Sequence, residues 1–177
     1  QTTAKQVAPV YKEIIKKHKT PDKLADAKLS EIRNIIRPLG LLYRAENLIN
    51  AAKIISEKYN GKVPSKKNNL KGIPGVGDYT ADAVMCYGFN KKIVPIDTNV
   101  LRVFKRYFDL NSDYADPLDD NKLLKKIRSL YKSKAENYKE LNLAILDFAN
   151  RICKKRSPRC ENCCINKNCS YNKKANP

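Results

Sequence analysis

The stretch Leu70–Arg106, LKGIPGVGDYTADAVMCYGFNKKIVPIDTNVLRVFKR, leaves this chain few ways to fold. Its spacing predicts a short helix ending near Leu70, a tight turn at Ile73-Pro74-Gly75-Val76-Gly77, and a second helix from about Asp78 to Phe89. A turn this short between helices needs positive φ, which glycine reaches without a Cβ clash. Pro74 fixes one dihedral and removes one donor. The N–H groups of Gly75, Gly77 and the first helical turn are left without intrahelical partners. Donors clustered at the positive end of a helix dipole suit a phosphate. Gly75, Val76 and Gly77 are therefore candidate contacts to a nucleic-acid backbone, held without reading its sequence. The same residues also suit a plain turn between two helices.

Downstream, Pro95-Ile96-Asp97-Thr98-Asn99-Val100 opens an amphipathic helix with Val100, Leu101, Val103 and Phe104 at helical spacing. Asp97 by itself reads as its N-cap, accepting the orphan N–H groups of the first turn. The two motifs together, LxGIPGVGxxTAxAV followed by PIDTNVxRVxxR, resemble the endonuclease III and MutY (HhH-GPD) superfamily of DNA glycosylases. That resemblance implies a catalytic role for Asp97, with Asn99 and Asn142 as supporting residues.

The balance of 36 basic to 18 acidic side chains, a net charge of +18, favours a polyanion as partner. No apolar run approaches membrane-spanning length and no signal-peptide pattern opens the chain, which argues against a membrane surface. The segment Asp109–Asp120 carries five acids and no base, so it is expected to lie away from any DNA-binding face.

Helical periodicity runs through the rest, and no stretch reads as a strand. The fold class is all-α, read as a helical domain with the hairpin over 1–91 and a second helical domain over 92–177. Val7, Val10, Tyr11, Ile14 and Ile15 form an apolar stripe near the start, with His18 expected at the surface beyond it. The pattern is already helical at Gln1, without a methionine, so a natural N-terminal segment is expected upstream. Aligned on the superfamily, Gln1 enters the gap left by an extruded base. The LG-x3-RAxNL pattern over Leu39–Leu48 also matches, and it sets Leu41 where relatives carry a wedge residue. Two leucines beside a glycine equally suit ordinary loop packing.

Six cysteines occur, and Cys153, Cys160, Cys163 and Cys169 make C-x6-C-x2-C-x5-C in a basic, irregular segment. Such density without a secretion signal argues for metal in an intracellular protein rather than disulfides. Spacing alone allows zinc or an iron–sulfur cluster. The spacing resembles the [4Fe–4S] loop of endonuclease III-type enzymes, and the cluster follows from that resemblance. Cys164 is then spare and Cys86 a core residue. Residues 151–177 hold eight basic side chains and one acid. A pinned loop would present Lys154, Lys155, Arg156 and Arg159 to phosphates.

Where bifunctional members of the superfamily carry lysine, this chain has Tyr79. Tyrosine cannot form the Schiff base that precedes strand cleavage. The resemblance thus implies a monofunctional, monomeric glycosylase acting on double-stranded DNA with a mismatched base. Within the superfamily, GVGDYTADAVMC and LNLAILDF are most similar to archaeal thymine-DNA mismatch glycosylases, which implies thymine or uracil opposite guanine. The other readings are a MutY-type adenine glycosylase, an endonuclease III-like glycosylase and lyase, and a non-catalytic DNA-binding module.

Overall fold

The computed structural model describes residues 2–131 and 137–175. Gln1, the expected gap-filling residue, lies outside the described residues. All regular structure among those described is helical, with no strand. The chain divides into two compact units, Gln1–Ala81 and Asp82–Pro177. The division falls inside the second hairpin helix rather than after residue 91.

The first unit opens with α1 (Ala4–Lys17), started by a capping box in which Thr3 and Gln6 satisfy each other's backbone N–H. Thr20 caps α2 (Pro21–Ala25) by accepting from the Lys23 N–H, with Pro21 in the first turn. Then come α3 (Leu29–Ile36) and a 3-10 turn, Arg37–Leu39, closed by Gly40 at φ 72°. The long α4 (Arg44–Tyr59) ends where Asn60 and Gly61 turn left-handed. Val10, Ile32, Ile35, Ile36, Ala45 and Ile49 make the core. Burying Ile32 completely contributes about 2 kcal/mol.

Two expectations change here. Of the α1 stripe only Val10 is buried, while Val7, Tyr11 and Ile15 are exposed. α1 meets α3 and the 3-10 turn along a narrow line, which leaves Val7 and Tyr11 on the wall of an open apolar hollow. His18 is not a surface residue: its side chain is 9% exposed. Its Nδ1 lies 3.1 Å from the Lys23 carbonyl, because the chain turns back into α2 directly over the ring.

The hairpin comprises α5 (Lys67–Lys71) and α6 (Asp78–Ala83). The helix expected to run smoothly to Phe89 instead loosens into a π-helical turn, Val84–Gly88, which packs on a later helix, α9 (Tyr138–Arg151). The second unit adds α7 (Thr98–Phe108), α8 (Asn121–Leu130) and α10 (Ser170–Ala175). Its core centres on Val94, Ile96, Val100, Leu101, Phe104, Leu123, Ile127 and Tyr131. Asp120, at the end of the acidic segment, caps α8 through the N–H groups of Lys122 and Leu123, each at 3.0 Å. On α9 the buried positions are Asn142 and Ala149, and Ala144 is exposed. A buried polar cluster at Asn142 sets that rotation.

Candidate active site

Asp97 stands immediately before α7 with extended backbone, half-buried. Its Oδ1 accepts from the Asn99 N–H at 2.9 Å and the Val100 N–H at 2.8 Å. Its Oδ2 accepts from Asn99 Nδ2 at 2.8 Å. The carboxylate is thus fixed by three donors at the positive end of a helix of 11 residues. The cap predicted from sequence is present, and the same bonds hold a negative charge in one place.

Behind it stands Arg102, which sequence reasoning missed. Its Nη2 donates to Asn99 Oδ1 at 3.0 Å and to the Ala149 carbonyl at 3.1 Å. Its Nε donates to the Cys153 carbonyl at 2.9 Å. One planar guanidinium therefore joins the residue that orients Asp97 to the start of the cysteine segment. Arg106, one turn on, donates to the carbonyls of Lys154 at 2.6 Å and Lys155 at 3.1 Å. It also lies 4.7 Å over the Tyr171 ring. The two arginines four residues apart in NVLRVFKR were the available signal, since they share a helix face beside the apolar one.

Asn142, singled out from the sequence as a supporting residue, is 1% exposed. Its Oδ1 accepts from the Tyr87 hydroxyl. Its Nδ2 donates to the Pro95 carbonyl at 3.3 Å and to the Tyr131 oxygen at 3.1 Å. The π-helical turn is what swings Tyr87 to this point. Asn142 thereby holds the backbone just ahead of Asp97. Burial, the larger effect, pushes the Tyr131 hydroxyl up to about 12. It stays protonated at any physiological pH.

The hairpin turn 73–77 belongs to the first unit, as does Tyr79, which is exposed; Asp97 belongs to the second. Gly75 has φ 78°, and a Cβ there would lie 3.2 Å from the Asn47 side chain on the first turn of α4. Gly77 has no positive φ, contrary to the simple turn argument, and a Cβ there would meet nothing within 4 Å. The Gly75 and Gly77 N–H groups make no hydrogen bond among the described residues. The Val76 N–H is used within the turn, donating to the Ile73 carbonyl at 3.1 Å. Asp78 binds Lys71 at 2.9 Å and Lys67 at 3.3 Å. The Lys71 hydrogen bond, then Lys67, hold its carboxyl below the usual value. Leu41 is half-buried in the apolar hollow, whereas Leu42 and Tyr43 beside it are exposed.

Cys153, Cys160, Cys163 and Cys169 all line one hollow in the second unit, together with Arg106, Tyr107 and Tyr171. None is disulfide-bonded. Burial, then the neighbouring Cys169 and Cys153 sulfurs, pushes the Cys160 thiol up. Cys164 is exposed and faces a different hollow, and Cys86 is buried. Among the described residues, no group of three or more His, Cys, Asp or Glu side chains closes to the distances a metal ion needs. Lys155, Arg156 and Arg159 are exposed and Lys154 half-buried. No helix among the described residues is long and apolar enough to cross a membrane.

Comparison with known proteins places this geometry in context. Residues 1–129 match the family described as HhH-GPD superfamily base excision DNA repair protein. Thymine/uracil-DNA glycosylase of Pyrobaculum aerophilum is 38% identical over 164 residues, covering 92% of this chain and 71% of that protein. A solved thermostable thymine-DNA glycosylase superposes with a TM-score of 0.85 at 35% identity, covering 98% of this chain and 79% of the other. An endonuclease III in non-covalent complex with DNA gives 0.84 at 30% identity, over 98% and 78% of the two chains.

Proposed function

The chain belongs to the HhH-GPD superfamily of base excision DNA repair proteins, and we propose that it is a DNA N-glycosylase that releases thymine or uracil mispaired with guanine. The likeness to thymine/uracil-DNA glycosylase, over most of both chains, supports that choice of base. The observation that carries the chemistry is the fixed carboxylate of Asp97.

A base inside a duplex is out of reach, so the nucleotide is turned out of the stack. As the bond from C1′ to the base nitrogen breaks, its electrons leave with the base and positive charge grows on the sugar. Asp97 opposes that charge, held rigid by the N–H groups of Asn99 and Val100 and by the Asn99 amide. Water then adds its oxygen to C1′, and its proton leaves toward the carboxylate. Asn99 is the orienting residue, and Asn142 holds the backbone that delivers Asp97. Tyr79 provides no amine, so the strand stays intact after the base departs. Gly75, Val76 and Gly77 grip one stretch of phosphate. Lys154, Lys155 and Arg156 grip another.

We infer further that Cys153, Cys160, Cys163 and Cys169 ligate a [4Fe–4S] cluster. Four free thiols around one hollow fit a cationic metal centre. A lone tetrahedral zinc asks for sulfurs only about 3.8 Å apart, as bonds of about 2.3 Å require. The likeness of the C-x6-C-x2-C-x5-C spacing to the cluster loop of endonuclease III-type enzymes favours the cluster over a single zinc. When bound, the cluster would supply a cross-link that pins the loop and its basic side chains. Arg102 and Arg106 already hold that loop's carbonyls. The reading extends to an organisation into a hairpin domain and a cluster domain, and to a protein acting as a monomer.

Product analysis tests the function directly. Duplexes carrying G·T, G·U, G·A and 8-oxoguanine·A pairs are incubated with the protein, and free base and strand breaks are measured. Release of thymine and uracil with strands intact until alkali treatment is expected. Release of adenine alone, or no release from any duplex, overturns it.

A further inference from the structure

The turn that carries Asp97 meets α9 at two points, and one of them is a buried side-chain amide. Asn142 and Ala149 are the buried positions of α9, two turns apart on one face. Asn142 Nδ2 donates to the carbonyl of Pro95, two residues before Asp97, at 3.3 Å. The Ala149 carbonyl accepts from Arg102, whose guanidinium also holds Asn99, two residues after Asp97. The second point is fixed by the backbone of a helix. The first is a side chain that can turn about its own bonds, and two tyrosines restrain it.

A carbonyl can only accept, so Pro95 settles which way round the Asn142 amide lies. Its oxygen then faces the Tyr87 hydroxyl, which donates, and Tyr131 Oη accepts the second amide hydrogen at 3.1 Å. The two hydroxyls hold the amide plane at its other corners, so that it cannot swing away from Pro95. Asn142 is 1% exposed, Tyr131 is buried and Pro95 is fully buried, which keeps bulk water from these groups and strengthens each bond. The tyrosines arrive from two different elements. Tyr87 sits on the π-helical turn Val84–Gly88, a rare conformation that recurs at functional sites. Tyr131 follows the last residue of α8, and its ring stacks on Phe104 of α7 at 5.6 Å. Phenylalanine would fill the same space at both positions. What the hydroxyls add at this point is the hold on the amide.

Resting on the glycosylase reading, we propose that Tyr87 and Tyr131 are positioning residues for Asp97, acting through the Asn142 amide on the Pro95 carbonyl. Their part is orientation, not contact with the sugar. Without the Tyr87 bond the amide oxygen is left dry and unpaired, and the amide can swing. The bond to Pro95, the longer of the two from Nδ2, is then the first to give. The backbone just ahead of Asp97 follows it. A reacting group misplaced by about 1 Å can cost about a hundredfold in rate, so a smaller shift there is still read in excision.

The test measures amide hydrogen exchange and single-turnover thymine release in Tyr87→Phe, Tyr131→Phe and a control, Tyr138→Phe, whose ring lies 6.0 Å from that of Tyr131. In Tyr87→Phe without DNA, the Asn99 and Val100 amides that donate to Asp97 should exchange about tenfold faster. The Val103 amide, further along α7, should keep its rate. Thymine release from a G·T duplex should slow about tenfold with affinity for that duplex unchanged. Tyr131→Phe should move both readouts the same way by a smaller factor, because the bond to Pro95 remains. Tyr138→Phe should move neither. A full rate of release in Tyr87→Phe overturns the proposal, and so does slowed release with unchanged exchange at Asn99 and Val100. Faster exchange that includes Val103 also overturns it, as does an equal loss in Tyr138→Phe, since either means general loosening. If no duplex yields free base with the unsubstituted chain, the glycosylase reading fails on its own. The exchange arm then still decides whether Tyr87 and Tyr131 hold the turn at Asp97.

Discussion

Asn99 holds both oxygens of Asp97, Oδ1 through its backbone N–H at 2.9 Å and Oδ2 through its side-chain amide at 2.8 Å. A carboxylate held twice by one neighbour cannot rotate to follow a solvent molecule. It presents its charge in a preset direction, which is what stabilising a developing cation requires.

Asp97→Asn keeps a good N-cap, so thermal stability should change by less than about 1 kcal/mol. The charge is gone, and single-turnover excision should fall about a thousandfold or more while affinity for mismatched duplex persists. Excision at the unsubstituted rate would remove Asp97 from the chemistry and favour a role as cap alone.

Arg102→Met should lower excision by about 10–100-fold with DNA affinity unchanged, because Asn99 loses its anchor to the Ala149 and Cys153 carbonyls. Arg102→Lys should recover only part, since one ammonium cannot span three acceptors. A loss confined to thermal stability, with the excision rate intact at low temperature, would mean that Arg102 only packs the cysteine segment.

Anaerobically purified protein should be brown and hold about four irons per chain. Cys163→Ser should lose most of that iron and Cys164→Ser should keep it, although the two are adjacent, because only Cys163 shares a hollow with the other three. Stoichiometric zinc in a colourless, folded protein rejects the cluster.

Replacing Lys154, Lys155 and Arg156 by glutamine should weaken binding to paired and mismatched duplexes alike. The slope of log affinity against log salt should flatten by about 0.9 for each phosphate contact removed. A loss seen only with mismatched DNA means that these side chains do not act through the backbone.

The two hairpin glycines should respond differently. Gly75→Ala combines left-handed strain with a tight approach to the Asn47 side chain, and should cost about 1–2 kcal/mol in stability as well as DNA affinity. Gly77→Ala should leave the melting temperature within about 1 °C, because its φ is ordinary and the space open. Its methyl group enters the volume a phosphate would occupy, so affinity alone should fall. Equal affinities for Gly77→Ala and the unsubstituted chain would place the phosphate elsewhere.

What the sequence determined by itself is local. The all-helical class, the turn at Gly75, the cap at Asp97 and the set of four cysteines each depend on residues a few positions apart. Periodicity and spacing read such relations directly. Tertiary structure decided the rest. Arg102 meets Cys153 across 51 residues and Tyr87 meets Asn142 across 55, and no periodicity in either segment names the other. Alternation marked His18 as one more polar residue among lysines, yet the return of the chain at α2 buried its ring. In Leu41-Leu42-Tyr43 the sequence shows three side chains that can each bury apolar surface. Only the packing of α1 and α4 chose which one turns inward, because an apolar side chain goes where a neighbouring surface is available to cover it.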